Sequence, residues 1–115
     1  MTTYTWNAGI AMISQPMAGK TDAEIAAVRE QAVGLLQDRG YRIANTLFNG
    51  ESFAEEVLEE CGVECVPLYY LAKSLESMSK CHAVYFCRGW KDYRGCRIEH
   101  EAAAAYGLEI IYEDT

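Results

Sequence analysis

The sequence predicts an α/β domain: a small doubly wound parallel sheet of about four strands, in the order 2-1-3-4, with helices on both faces. Three observations lead there. Short apolar runs alternate with amphipathic stretches at helical spacing along the whole chain. Capping boxes and glycines punctuate the boundaries between them. The chain has 115 residues, half of them hydrophobic. That suits a single domain spanning 1–115, with one core and no room for a second.

Gly9 to Ser14 (GIAMIS) is an apolar run closed by Gln15-Pro16, as expected of a buried strand. Thr21 and Glu24 make a capping box. Ile25, Val28, Ala32, Leu35 and Leu36 then follow at helical spacing up to Gly40, a left-handed cap. Tyr41 to Ala44 is a second short strand, and Asn45 to Gly50 a loop. Ser52 and Glu55 form another capping box, opening a short acidic helix to Cys61. Pro67 suits the first turn of a helix with the stripe Leu68, Leu71, Leu75 and Met78. Ala83 to Cys87 is the third strand, and a polar loop runs to about Arg97. An alanine-rich helix from Ile98 to Tyr106 closes at Gly107, and Leu108 to Tyr112 is the last strand. This alternation implies crossover connections and a parallel sheet covered on both faces.

Composition narrows the function classes. The formal charge is −7, a poor match to a duplex-binding surface, so no nucleic acid duplex is expected as a partner. No run approaches the roughly 20 apolar residues of a membrane span, and no basic cluster precedes an apolar stretch at the N-terminus. Five cysteines follow no paired framework, and Cys61 and Cys65 are spaced unlike a C-x-x-C motif. A reducing, cytoplasmic setting follows as the expectation. The histidines His82 and His100 stand apart from other ligands, so no metal and no cofactor are expected.

In open parallel sheets, ligands bind beyond the carboxyl ends of the strands. Three loops meet that edge: Gln15–Lys20, Asn45–Gly50 and Arg88–Arg97. The last holds Arg88, Lys91, Arg94 and Arg97 against Asp92, a net +3 that leaves −10 for the rest of the chain. A cationic loop feeding a helix N-terminus suits phosphate or carboxylate. The competing reading is a solvated loop paired with Glu99 and Glu101. Trp90, Tyr93 and Phe48 offer flat faces for a base. Ser14 to Thr21 nearly matches a P-loop, but Ser14 replaces its first glycine and Pro16 removes an amide. The Gly19-Lys20 turn before the capped helix can still hold an anion. Glu99 is expected in the first turn of the last helix. There the helix N-terminus and Arg97 would lower its pKa and keep it ionised, as a glycosyl nucleophile requires.

The segments Ile13–Thr21, Asn45–Asn49, Tyr70–Leu75, Met78–Phe86 and Gly95–Ala103 together resemble nucleoside 2-deoxyribosyltransferase-like proteins, small uncharacterised bacterial and phage members above all. That superfamily is flavodoxin-like in architecture. The resemblance implies an enzyme acting on the N-glycosidic bond of a nucleoside or deoxynucleotide, by base transfer or hydrolysis. Glu99 matches the family nucleophile, with Ala103 and Gly107 at the family's spacing. Ser74 falls where the enzymes carry an Asp, which leaves Asp92 or a neighbouring subunit to protonate the base. Ser14, Gln15, Gly19, Lys20, Asn45, Phe48, Arg88, Trp90, Arg94 and Arg97 are the ligand-binding candidates, with Arg88 and Arg94 foremost for phosphate. The resemblance also implies a homo-oligomer, a dimer or larger. The alternative function is a non-catalytic module that senses or sequesters a nucleotide-derived ligand, in a phage-related setting.

Overall fold

The computed structural model describes residues 9–44 and 55–113. Four strands form one all-parallel sheet: β1 (Gly9–Ser14), β2 (Tyr41–Ile43), β3 (Ala83–Phe86) and β4 (Glu109–Tyr112), in the order β2-β1-β3-β4. The connecting helices are α1 (Asp22–Asp38), α2 (Glu55–Glu60), α3 (Val66–Met78) and α4 (Arg94–Ala105). The expected fold class and strand order are both present.

The register aligns the strand ends that matter for a site. Ser14 pairs with Phe86, and Phe86 with Tyr112, so these three mark the carboxyl edge. Alternation along the strands divides the core into two layers. Ala11, Ile13, Tyr85 and Ile111 face α1, where Ala32 and Leu36 are buried and Val28 and Leu35 pack alongside. Met12, Val84 and Phe86 face α3 and α4, against Met78 and Ala103. β1 and β3, central and covered on both faces, are almost fully buried.

Strand ends match the sequence reading to within a residue, because the ladder frays gradually. Ala44 N still donates to Ala11 O at 2.8 Å, and Cys87 N to Ser14 O at 3.0 Å. At α1 the capping box forms as read: Glu24 N donates to Thr21 Oγ1 and Thr21 N to Glu24 Oε1, both at 3.1 Å. Gly40 follows α1 at φ +89°, a left-handed conformation. The Ser52 cap expected for α2 lies outside the described residues, as do Asn45 and Phe48.

Two helices depart from expectation. Leu68 is not on the packed face of α3: it is 60% exposed, while Ser74 and Met78 are buried and Leu71 and Leu75 half-buried. A stripe counted from hydrophobicity alone missed the phase because a serine occupies the core-facing position. The last helix starts at Arg94, not Ile98, so the polar loop is shorter than read. A single 3-10 turn, Trp90–Asp92, follows Gly89 at φ +87°, and Tyr93 then serves as an extended N-cap. Arg97 Nη1 donates to Lys91 O at 3.1 Å and ties the new first turn to that 3-10 turn. The packed face of α4 is Cys96, Glu99 and Ala103, leaving Ile98 41% exposed.

Candidate functional site

The carboxyl edge of β1 carries a buried polar cluster. Ser14 ends the strand with its side chain on the α3–α4 face, and its Oγ donates to Glu99 Oε1 at 2.8 Å. Ser14, Ser74 and Glu99 are all under 5% exposed, and Cys96 lies beside them in the first turn of α4. Glu99 Oε2 is buried and accepts no hydrogen bond. Starting α4 one turn earlier moves Glu99 from the first turn to the second, away from the free amides at the helix N-terminus.

That placement reverses the expected electrostatics. Arg97 points to Lys91 O and is paired with neither Glu99 nor Glu101, so among the described residues no cation is paired with the carboxyl. Burial dominates and pushes the Glu99 pKa up to about 7, while the Ser14 and Ser74 hydroxyls partly oppose the rise. At neutral pH the group is therefore shared between its acid and its carboxylate form, rather than held ionised. Perturbation by burial at a strand end, with one oxygen left unsatisfied, is the pattern of a functional carboxyl. Cys96 is raised to about 11, first by burial, so it is a thiol and no competing nucleophile.

The first loop continues from Ser14 toward α1. Gln15 is 5% exposed; its Nε2 donates to Ile25 O at 2.7 Å and its Oε1 is unsatisfied. Lys20 N closes a turn on Met17 O at 3.1 Å, with Gly19 exposed at φ +79°. Tyr93 Oη donates to Ala18 O at 3.1 Å and joins this loop to the start of α4. Exposed Lys20, in this loop, and exposed Arg94, the first residue of α4, thus lie on one edge. Tyr93, read as a stacking face, serves as that tether through its hydroxyl.

Other candidates line a separate cleft. A cleft of about 490 Å³ is lined by Phe86, Arg88, Trp90, Asp92, Tyr112 and Glu113, with Gly89 and Lys91 between them. Glu99 is not among its walls, so Asp92 and Glu99 do not share one pocket. Arg88 is bound to Glu113 twice: its backbone N–H donates to Oε1 at 2.8 Å, and its guanidinium lies 3.8 Å from Oε2. Trp90 stacks on His100 with ring centroids 4.1 Å apart, and His100 Nε2 lies 2.6 Å from Tyr112 Oη. Sequence reasoning missed Ser74 as a neighbour of the carboxyl, His100 as the support of Trp90, and Glu113 as the partner of Arg88. Contacts between residues so far apart in the chain leave no local spacing to read.

Among the described residues, no group of three or more His, Cys, Asp or Glu is placed to hold a metal ion, and no helix is long and apolar enough to cross a membrane. Residues 11–112 match the model of a family described as a domain of unknown function, DUF4406, and the chain belongs to that family. No curated protein and no solved structure matches it.

Proposed function

We propose that this DUF4406 member acts on the N-glycosidic bond of a nucleoside or deoxynucleotide, with Glu99 as nucleophile. The observation that carries the reading is Glu99 itself: a buried carboxyl at the end of a central strand, one oxygen held by Ser14 and the other unsatisfied. Ser14 fixes the carboxyl through Oε1, and Oε2 keeps its lone pairs for attack. Oε2 bonds to the anomeric carbon as the carbon–nitrogen bond breaks. The bonding pair leaves with the base, which takes a proton from water. Water or an incoming base then cleaves the glycosyl ester and restores the carboxylate, giving hydrolysis or transfer. Lys20 in the first loop and Arg94 at the start of α4, both exposed, supply charge for a phosphate on the sugar. The loops must part for a sugar to reach a side chain only 4% exposed.

The test is release of free base from a panel of nucleosides and nucleotides. Glu99→Gln should lower it by about a thousandfold or more, since it removes the nucleophile and keeps the shape. A Gln variant working at the wild-type rate refutes the role. Because only the carboxylate attacks, the rate should rise with pH through about 7.

A second reading, a binding module without turnover, is favoured by the deep burial of Glu99 and by Ser74 standing where the resemblance places an acid. It predicts that a bound nucleotide returns chemically intact after denaturation of the protein.

A further inference from the structure

The cleft between the β3–α4 turn and the end of β4 has a chemistry unlike an anion trap. Its rim carries two cations, Arg88 and Lys91, and two carboxylates, Asp92 and Glu113. Glu113 accepts from the Arg88 backbone N–H through Oε1 and its Oε2 lies 3.8 Å from the guanidinium, so the Arg88 charge is partly offset within the cleft. The walls are aromatic: Phe86, Trp90 and Tyr112. His100 holds Trp90 from one side, stacked at an interplanar angle of 15°; Trp90 is half-buried, and the exposed Lys91 Nζ lies 5.8 Å from its ring centroid. A held indole beside a tyrosine, ringed by donors and acceptors of both signs, suits a neutral planar heterocycle with a polar edge.

We propose that this cleft is a purine-base site, distinct from the Glu99 carboxyl, and that it prefers a guanine-type edge. The base stacks on Trp90. The exposed Asp92 carboxylate accepts from two adjacent N–H groups, those of the ring and of the exocyclic amine, and a cationic rim donor meets the neighbouring carbonyl. Adenine offers one such donor and no carbonyl, so it binds more weakly. Pairing with Glu113 keeps Arg88 over the cleft, so that its donors are positioned before the base arrives. The site does not depend on Glu99 being a nucleophile. It serves equally for an acceptor base or for a ligand that is bound and not consumed.

Calorimetric titration of the intact chain with guanosine, adenosine, cytidine and inorganic phosphate tests this. Guanosine should bind more tightly than the other nucleosides, and phosphate should not displace it. Asp92→Asn is the decisive variant, because Asp92 is exposed and its loss does not disturb the core. It should weaken guanosine by about tenfold or more and narrow the gap to adenosine. Trp90→Ala should weaken all nucleosides together. Glu99→Gln should bind guanosine as the wild type does, whatever its effect on base release, which separates this site from the glycosidic reading. The assignment is overturned if no nucleoside binds, if phosphate displaces guanosine, if Asp92→Asn binds all three nucleosides unchanged, or if Glu99→Gln abolishes binding.

Discussion

Glu99→Gln also probes folding, independently of any reaction. Burial raises the Glu99 pKa from 4.5 to about 7 in the folded chain. A group held above its unfolded value takes up a proton on folding between those two pH values. The ionised form is thus a destabilising group, and its cost is absent below about pH 4.5, where both states are protonated. The cost grows by about 1.4 kcal/mol per pH unit as the pH rises and is complete above about pH 7. In total it comes to about 3 kcal/mol, a large share of a small domain's stability. Gln carries no charge at any of these pH values, yet keeps an oxygen to accept from Ser14. Urea unfolding of both proteins from about pH 4 to about pH 8 should therefore show the variant's advantage growing by about 3 kcal/mol across the range. Other titrating groups, His100 among them, are common to both proteins and cancel in the difference. A difference that stays flat with pH would refute the argument that Glu99 is an uncompensated buried acid. Read together, a variant more stable at neutral pH and poorer in base release is the trade expected of a strained functional group.

Thr21→Ala removes the acceptor for Glu24 N and breaks the reciprocal box, so it should lower stability by about 1 kcal/mol in the same urea assay. Gly9→Ala should cost more than that: Gly9 sits at φ +103°, and a Cβ there would stand 2.5 Å from His82 Nδ1, the acceptor for Ile10 N at 3.0 Å. A thermal melt matching the wild type would contradict that packing. Thiol labelling of the native chain should modify the exposed Cys61 and Cys65 at once and spare Cys81, Cys87 and Cys96 until urea unfolds the protein. Burial also raises those three thiols, to about 11 for Cys81 and Cys96 and about 12 for Cys87, which slows them further. Five thiols reacting together in the native state would show that the core is open on both faces of the sheet.

The sequence by itself determined the architecture. Apolar runs of strand length, the Thr21–Glu24 box and the left-handed Gly40 are local signals, each set by neighbours within a few residues. Their alternation dictates a parallel sheet. Local signals also placed Glu99, Ser14 and the Arg88–Arg97 loop at one edge, since topology carries every strand's end to the same side. What they could not set was the direction and partner of each side chain there. The polarity of Arg88–Arg97 hid the early start of α4, and beginning the helix four residues sooner places Glu99 a full turn further from the free N-terminal amides. That shift put Glu99 under the sheet edge beside Ser14 and Ser74, away from Arg97 and from the helix amides. Its pKa consequently rises where the sequence argued that it falls. The expected site also divides, because Arg88, Trp90 and Asp92 line a cleft whose walls do not include Glu99. Charge and spacing count ionisable groups along the chain, but desolvation and pairing depend on what the folded chain packs against them.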